Sequence, residues 1–431
     1  MAIARETAQG AGESALVAWW KEPTREQWHA WVAAWLGWTL DSFDVTIFLL
    51  LMLPISQSFH VPLVDVTAVL ALTLWMRLVG ATISGWLADR MGRKKPLMIS
   101  IAWYSVCNLL SGLAPSFGLL FLFRALLGIG MGAEWPVGAA LAMEQWPIRS
   151  RGFMSGVLQG SWGIGALLSS LAYGLLYNWI GWRGLLMIGV LPSLAIIYVR
   201  TYVKEPKVWL ENRKRQRAEG REVKAPLFSI FKPAILGNTA TACWWMASSF
   251  VVAYSITAMF ATYLQRDLQL SPALVALPVM LLSLGQFGSG VAWGWVADRI
   301  GRRWAMILPA LIGLPLVPLY LFTHNYAMIV VFFGLQGWFA GGGIWSQAPS
   351  YLSERFPTEV RATASGFCYH QGAIWGGFAG PLVTYFAINL HWGFAVPMAI
   401  GTIGGLVSLL LALSISPETH GKELVADVVL A

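Results

Sequence analysis

Acidic and basic side chains interrupt long apolar stretches in the first half of the chain, at Asp41, Asp44, Arg77, Arg124 and Glu134. Asp41 and Asp44 are three residues apart, so on a helix they share one face, about one turn apart. Two adjacent carboxylates in a medium of low dielectric constant cannot both ionise at low cost, so one is suited to carry a proton near neutral pH. The planar guanidinium of arginine fits a carboxylate. These residue types predict a site that handles a proton together with an organic anion.

The two arginines fall at the depths of the two aspartates. At roughly 1.5 Å of rise per residue, Asp44 and Arg124 lie at similar depths in their helices, and Arg77 lies near the level of Asp41. Each aspartate therefore has a candidate arginine, and which pair touches stays open. Protonation of an aspartate would free its arginine for an anion. The alternative is that either aspartate only holds helices together as an ion-pair partner, and Glu134 is either a second proton site or a half-buried structural partner.

Long apolar segments must position these side chains. The 431 residues are 57% hydrophobic and 12% charged, a composition that excludes a water-soluble surface. Apolar runs of roughly 20 residues, enough to cross a bilayer, recur about twelve times. Because lipid cannot satisfy backbone polar groups, each run must be a helix, and the sequence predicts an all-α membrane protein. We place the helices near 30–54, 66–89, 97–115, 117–142, 152–178, 183–201, 237–264, 272–297, 304–322, 326–352, 361–389 and 392–416.

The net charge of +8 is distributed as an orientation signal. Basic residues cluster between Arg200 and Lys232 and in short loops on the same side, whereas the opposite side keeps only Arg183 and Arg266. By the positive-inside rule, both termini are predicted to be cytoplasmic. The membrane is expected to be a bacterial inner membrane. The charge therefore does not indicate a nucleic-acid site. The first 27 residues lack the pattern of a signal peptide, and the three cysteines lack metal or disulfide spacing, so no cofactor or metal is expected.

A ten-residue motif occurs twice, starting at Gly85 and again at Gly294, 209 residues later. Segments 147–156 and 357–366 also align, at an offset of 210. This duplication predicts two pseudo-symmetric halves of six helices each. The expected organisation is a cytoplasmic N-terminal segment, an N-terminal half, a basic cytoplasmic linker, a C-terminal half and a cytoplasmic tail, over 1–29, 30–202, 203–236, 237–416 and 417–431.

Charged and small residues of the repeated motif are predicted to gate the protein. Asp89 lies where it can meet the positive N-terminal end of a neighbouring helix and the guanidinium of a nearby arginine such as Arg93. Gly85 and Gly92 permit a close approach of the chains. We expect these contacts to break and re-form as the halves rock. The gating candidates are Gly85, Asp89, Arg90, Gly92, Arg93, Gly294, Asp298, Arg299, Gly301 and Arg302.

Polar but uncharged side chains occupy the apolar stretches of the second half. Gln286 is the repeat counterpart of Arg77, so we expect it to offer hydrogen bonds to a substrate from the mirrored position. His370 could titrate near neutral pH, although a buried neutral histidine satisfied by a neighbour is the interpretation we favour. The substrate-binding candidates are Arg77, Arg124, Gln159, Asn238, Gln286, His370 and Gln371.

Over essentially its whole membrane portion the chain resembles the major facilitator superfamily. The motif from Gly85 to Lys94 matches the superfamily's loop between helices 2 and 3, and Pro417-Glu-Thr-His-Gly421 is similar to its closing motif. Two further segments, Leu36-Gly-Trp-Thr-Leu-Asp41-Ser-Phe-Asp44 and the run from Arg124 to Glu134, are similar to helices 1 and 4 of the sialate:proton symporter family. That family includes fungal lactate and pyruvate permeases, but helix 7 lacks their His and Asp. Aromatic acid:proton symporters carry a similar motif in helix 1.

The resemblance implies a proton-coupled symporter that imports a small organic acid anion by alternating access, either a monocarboxylate such as lactate or pyruvate, or sialic acid. Arg77 is then expected to bind the anion and Arg124 to accompany the proton site, because the superfamily's helix 4 arginine commonly works beside a protonatable group; the reverse assignment stays open. The alternatives are an aromatic acid:proton symporter and a proton-independent facilitator or drug exporter. An enzyme is not expected. The expected partners are the anion, protons and the lipid bilayer, around a monomeric chain.

Overall fold

The computed structural model describes residues 20–191, 193–220, 226–270 and 272–424. Long helices account for most of these residues, and no strand occurs among them. The first nineteen residues of the predicted N-terminal segment, residues 221–225 of the predicted linker and residues 425–431 of the predicted tail lie outside the described residues.

Six helices form the first half. Four of them are α1 to α4, at Arg25–Phe59, Leu63–Met91, Lys94–Leu113 and Phe117–Met143. Helix α5 begins Arg151–Ile188, a run that breaks at Gly181, where φ is 63° and a side chain would be strained. Helix α6 follows this break and continues in Ser193–Tyr202. Because the break is confined to this one residue, α6 can reverse direction relative to α5 without an intervening loop.

Six further helices form the second half. Helix α7 is Pro233–Thr257, extended by a short piece at Phe260–Arg266. Helix α10 is interrupted, because a π-helical turn and a 3₁₀ turn separate its two parts. The remaining bounds are α8 at Pro272–Ile300, α9 at Trp304–Leu321, α10 at Tyr326–Gln336 and Ala348–Arg355 with Gly337–Gly342 and Gly343–Trp345 between them, α11 at Arg361–Ile388 and α12 at Ala395–Ile415.

The first helix begins earlier than its apolar run. Thr24 accepts a hydrogen bond from the backbone N–H of Gln27 at 3.3 Å, and the Gln27 side chain accepts one from the N–H of Thr24 at 2.7 Å. This reciprocal capping box satisfies two backbone donors that the first turn would leave unpaired. Helix α1 therefore starts at Arg25, outside the apolar segment predicted from residue 30.

The predicted basic linker contains helical structure. One helix spans Lys207–Ala218 and a single turn spans Pro226–Ser229. The indole N–H of Trp209 donates to the backbone carbonyl of Asp89 at 3.2 Å, and the side chain of Asn212 is buried. The linker helix thus packs against the turn between α2 and α3 rather than standing free in solvent.

Two helix pairs make the most extensive contacts between the halves. Helix α5 packs against α8, and α2 packs against α11. Glycines bring the backbones together: a Cβ at Gly156 would lie 2.0 Å from the carbonyl oxygen of Gly290, and one at Gly85 would lie 2.6 Å from the Cα of Thr363. Small residues at such crossings are typical of membrane helices. Within the halves, α1 packs on α5, α2 on α4, and α7 on α11 and α12.

By length and composition, nine helices or helix runs among the described residues could cross a membrane. They are α1 to α4, the run that begins with α5, α8, α9, α10 and α12. Helices α6, α7 and α11 complete the two sets of six. The termini of the described chain and the linker helix lie at one end of this bundle, which we call the linker side.

Candidate functional site

A buried ion pair lies between α1 and α2. The guanidinium of Arg77 donates from Nη2 to Oδ2 of Asp41, and both side chains are almost fully buried. Two aromatic hydroxyl groups of the second half, on Tyr254 of α7 and Tyr369 of α11, lie close enough to interact electrostatically with the guanidinium. Among the described residues, neither Oδ1 of Asp41 nor Nε of Arg77 has a hydrogen-bond partner. The pair therefore sits beside the interface between halves with part of its bonding capacity unused.

Asp44 lies one turn further from the linker side on the same face of α1. It is 1% exposed, and neither carboxylate oxygen accepts a well-formed hydrogen bond from the residues that the structure describes. Arg124 is its nearest cation in α4, but no ion pair within 4.0 Å joins the two among the described residues. Arg124 instead donates to Oδ1 of Asn108 at 3.1 Å and lies over the ring of Phe48. Of the two aspartate and arginine pairs at matching depth, only the first touches.

Glu134 of α4 reaches α1 where α1 has no side chain. A Cβ built on Gly37 would lie 1.8 Å from Oε1 of Glu134, so the carboxylate occupies that space. Glu134 is 3% exposed, and its Oε2 has no hydrogen-bond partner in the described part of the chain. The structure therefore buries this residue fully, where the sequence analysis left open a half-buried structural partner.

Aromatic side chains join the halves beside these carboxylates. The indole of Trp135 on α4 stacks on the phenol of Tyr369 on α11, with ring centroids 3.8 Å apart and planes 23° apart. Trp38 of α1 meets both rings edge-on, at 6.1 Å from each. Phe250 and Trp345 extend the cluster into α7 and α10. Trp38, Trp135 and Tyr369 were not among the predicted site residues, because nothing in one sequence distinguishes an aromatic side chain at this interface from one that faces lipid.

Three predicted binding residues lie close to this centre. Gln159 of α5 donates to the hydroxyl of Tyr369 at 3.5 Å. His370 of α11 is fully buried, packs edge-on against Trp135, and neither ring nitrogen has a hydrogen-bond partner. The expected neighbour that would satisfy this histidine is therefore absent among the described residues. Gln371 is tied to the backbone of its own half, because its amide donates to the carbonyls of Cys243 and Cys368 at 2.7 and 2.9 Å.

The other two predicted binding residues of the second half lie elsewhere. Asn238 stands near the start of α7, at the linker side, where its amide donates to the carbonyl of Arg355 at 3.3 Å. It is therefore not beside the ion pair of α1 and α2. Gln286 of α8 packs against the glycine run of α10, and a Cβ at Gly341 would lie 3.5 Å from its Nε2.

The repeated motif joins the halves at the linker side. The carboxylate of Asp89 accepts from the backbone N–H of Ala362 and Thr363 at 3.2 and 2.9 Å, at the start of α11, and from Nη1 of Arg93 at 3.0 Å. Helix N-termini attract anions because their N–H groups are unpaired and the helix dipole is positive there. Asp89 therefore holds α2 to α11 in this state.

The second copy of the motif makes the same contacts across the other helix pair. Asp298 accepts from the N–H of Gly152 and Phe153 at 2.9 and 2.7 Å, at the start of α5, and from Nη1 of Arg302 at 2.7 Å. The other motif arginines, Arg90 and Arg299, face outward and lie over tryptophan rings of their own helices. The gating role of these ten residues stays a prediction.

Glu144 adds an ion cluster that the sequence analysis did not select. Its carboxylate accepts from Nε and Nη2 of Arg93 at 3.1 and 2.8 Å and from Nη1 of Arg361 at 2.9 Å, all buried. Burial would raise the pKa of Glu144, but the two guanidinium groups outweigh it and lower the pKa below the ordinary value of a glutamate. The carboxylate is thus held ionised between the two halves.

Glu354 is the counterpart of Glu144 in the second half. It accepts from Nε and Nη2 of Arg302 and from Nη1 of Arg151, each at 3.3 Å. Glu144 and Glu354 differ by 210 positions, the offset of the second repeated segment. Extending that alignment three residues towards the N-terminus would have found both glutamates.

Two further carboxylates close the motif turns. Gly92 and Gly301 both adopt φ of 100°, which a residue with a side chain would strain to reach. In the first turn, the backbone N–H groups of Arg93 and Lys94 donate to Glu205; in the second, those of Arg302 and Arg303 donate to Glu418. The glycines therefore set the turn geometry that presents these donors.

The sequence matches the Major Facilitator Superfamily over residues 34–265 and again over residues 246–427. The two matches together cover more than half of the chain, and it belongs to this family of transporters. A solved structure of the proton:xylose symporter XylE superposes with a TM-score of 0.72 at 19% identity, covering 93% of this chain and 98% of that one. The predicted fold of twelve helices in two halves is thereby confirmed.

Two curated relatives are similar along nearly their whole length. The probable 4-methylmuconolactone transporter of Cupriavidus pinatubonensis is 28% identical, over 94% of each chain. The sialic acid transporter NanX of Escherichia coli is 27% identical, over 94% of this chain and 97% of the relative. The chain is therefore a membrane transporter, and the resemblance to a superfamily with sialic acid transporters is confirmed.

Proposed function

We propose that this transporter couples the import of a small organic acid anion to a proton. The carrying observation is that the buried guanidinium of Arg77 is engaged by Asp41 at the interface between the halves. A proton on Asp41 removes the charge that holds the guanidinium, so its planar fork becomes free to bind a carboxylate. Loss of that proton restores the ion pair and expels the anion. Proton and anion then move together.

The class of substrate follows from the charge of Arg77 and from the relatives. An arginine freed by protonation selects an anion, and the named cargoes of the relatives, sialic acid and a muconolactone, support an organic acid. A monocarboxylate such as lactate or pyruvate, or sialic acid, remains the proposed cargo. Arg124 accompanies Asp44, and Gln159 and His370, which lie close to the aromatic cluster, are the neutral groups proposed to complete the binding site.

An aromatic acid is the second candidate, and the aromatic cluster favours it. Trp38, Trp135 and Tyr369 lie next to the Arg77 site, and flat π surfaces of this kind bind planar unsaturated rings well. An acid with a ring could place its carboxylate on Arg77 and its ring against this cluster. A saturated hydroxy acid would gain less from the same surface.

The linker side is proposed to face the cytoplasm. It carries the basic linker segment and the arginine-rich turns, as the positive-inside rule requires of a cytoplasmic face. The clusters around Glu144 and Glu354 then close the cytoplasmic side in the present state. We propose that residues 30–202 and 237–416 rock against each other, and that these clusters open and re-form once in each cycle.

The test is uptake of labelled lactate, pyruvate, sialic acid and benzoate into proteoliposomes, with and without an inward proton gradient. Gradient-driven accumulation of one acid is the expected result. Arg77→Ala should weaken apparent affinity about ten- to a hundredfold, because hydrogen bonds to charged groups contribute roughly 1.5 to 3 kcal/mol. Arg77→Lys keeps the charge without the planar fork, so its apparent affinity should lie between those of the wild-type protein and Arg77→Ala. Equilibration that ignores the gradient would instead indicate a facilitator.

A further inference from the structure

Three carboxylates lie one above another along one face of α1. Asp44, Asp41 and position 37 are spaced by three and then four residues, which places them on the same face of a helix. Position 37 is a glycine, and the carboxylate of Glu134 fills the space that its side chain would take. The third carboxylate along this face of α1 therefore comes from α4. At about 1.5 Å per residue, the three levels span roughly 10 Å towards the linker side.

Glu134 has unused bonding capacity at the last step. Its charged and titratable neighbours are Asp41 and Asp44 on α1, Arg77 on α2 and Tyr104 on α3. The hydroxyl of Tyr104 lies beside the carboxylate, but neither it nor Oε2 of Glu134 makes a hydrogen bond that satisfies both distance and angle. A buried carboxylate with so few partners is costly as a fixed charge. It is suited to exchange a proton.

A small cavity continues the line towards the linker side. Its lining includes the small residues Ala34, one turn beyond Gly37 on α1, and Gly138, one turn beyond Glu134 on α4, together with Trp38, Glu134, Trp135, Ala139 and Leu158. These small side chains leave space beside the carboxylate of Glu134, on its linker side. Glu134 thus stands between the ion pair and this space.

We propose that Glu134 is the last carboxylate of a proton path along α1 and delivers the proton to the linker side. The protonated carboxyl of Glu134 first gives its proton to water that reaches it from the linker side. The resulting carboxylate then takes up the proton of Asp41, so that Glu134 is protonated again and the carboxylate of Asp41 pairs with Arg77. The proposal rests on the proposed proton-coupled transport and assigns the release step to a residue outside the anion site.

The first test separates proton movement from substrate movement in Glu134→Gln. In proteoliposomes with a pH dye inside, gradient-driven accumulation and substrate-linked proton entry should fall by about tenfold or more, the scale expected when a positioned proton-transfer group is lost. Counterflow of the same acid across equal pH moves no net proton and should persist. Normal proton entry in this variant would overturn the proposal. Loss of counterflow as well would assign Glu134 a structural role and also overturn it.

The second test moves the carboxylate without removing it. Gly37→Ala places a methyl group 1.8 Å from the present position of Oε1 of Glu134, so the carboxylate must leave the face of α1. We expect the same separation of activities as in Glu134→Gln. Gly404→Ala is the matched control, because a Cβ there meets nothing within 4 Å. Wild-type coupling in Gly37→Ala would contradict the path.

Failure of the proposed function gives a different result. If the wild-type protein transports an acid without responding to a proton gradient, symport itself is excluded. If the wild-type protein responds and both variants respond equally, symport stands and only the path through Glu134 is excluded.

Discussion

Asp44 is a buried carboxylate without a direct counter-charge, and this isolation gives it a testable role. Since Asp41 is engaged by Arg77, Asp44 is the neighbour that can hold a proton while the ion pair is intact. Asp44→Asn keeps the shape of the protonated acid but cannot titrate. We expect gradient-driven accumulation to fall to the level without a gradient, with counterflow retained, measured in proteoliposomes.

Thermal stability provides the control for Asp44→Asn. If Asp44 is protonated in the resting state, its neutral amide replacement removes no charge, and the melting temperature in detergent should be unchanged. A marked fall would mean that Asp44 is ionised and stabilises Arg124 across the short gap between them. Unchanged accumulation in the variant would remove Asp44 from the mechanism.

Depth along a helix carries much of the residue-scale information in the sequence. The rise per residue placed Arg77 at the level of Asp41, and the two side chains touch. The same arithmetic matched Asp44 with Arg124, but Arg124 turns to Asn108 and Phe48. Depth does not specify rotation about the helix axis, and rotation decides which neighbour a side chain meets. The aromatic cluster escaped for the same reason, whereas Asn238 lies away from the ion pair because of its depth, near the start of α7.

Backbone contact at glycines controls how closely the paired helices approach. Gly85→Ala would set a methyl group 2.6 Å from the Cα of Thr363, and Gly294→Ala would set one 2.8 Å from the carbonyl oxygen of Phe153. Backbone atoms cannot yield as a flexible side chain can. Both variants should therefore oppose closure at the linker side and favour the open state.

The rate at which a maleimide labels a cysteine introduced at a buried interface position measures this shift towards the open state. Ser155 is fully buried, and its hydroxyl donates to the carbonyl of Ser346 across the halves. In a Ser155→Cys background, Gly85→Ala should increase the rate of maleimide labelling severalfold. A shift of about 1 kcal/mol in the equilibrium between the closed and open states changes the open population by that factor. Gly404→Ala in the same background should not. Equal labelling rates would show that the close approach is not needed for closure.

Helix number and order were accessible from the sequence because each span needs a long apolar run. The residues at which the helices begin and end were harder to predict from the sequence. Helix α1 begins five residues before its expected start because a capping box extends it beyond the apolar run. Helix α10 was expected to be continuous, but the interruption over residues 337–345 follows from local glycine content, which hydropathy does not weigh. The helix Lys207–Ala218 was missed because it is too polar to register as a membrane span.

The two halves meet through two matching ion clusters. The cluster at Glu144 should contribute to the stability of the whole molecule. Glu144→Gln removes the charge that Arg93 and Arg361 share, and breaking a buried pair by removing one partner costs about 3 to 5 kcal/mol. We expect a lower melting temperature at neutral pH. Glu26→Gln is the matched control, because the pair between Glu26 and Lys204 is exposed and should contribute little.

The pH dependence of this effect has a definite sign. Because the folded protein lowers the pKa of Glu144, its contribution is complete above the ordinary glutamate range and is lost as the pH falls through the lowered value. The difference in melting temperature between wild type and Glu144→Gln should therefore be constant near neutral pH and shrink towards acid. A difference that vanished between pH 7 and 6 would contradict this. The proposed proton coupling near neutral pH must then arise elsewhere than at this cluster.

The duplicated motif predicted the pseudo-symmetry of the whole molecule. The differences between the two halves could be predicted only in part. The sequence places the membrane-embedded ion pair in one half and Gln286 opposite Arg77. How the second half contributes depends on Tyr254 and Tyr369, which approach Arg77 from α7 and α11. Such approaches arise from packing of two halves that lie far apart in sequence.

The docked linker helix bears on how fast the closed state is regained. Since Trp209 holds this helix against the turn between α2 and α3, the second half is tethered close to the surface it must recapture. A short tether raises the effective concentration of the ends of α5 and α11 around Asp298 and Asp89. Re-closure is then an intramolecular event with little search, and a Trp209→Ala protein with a looser tether would spend longer open in each cycle.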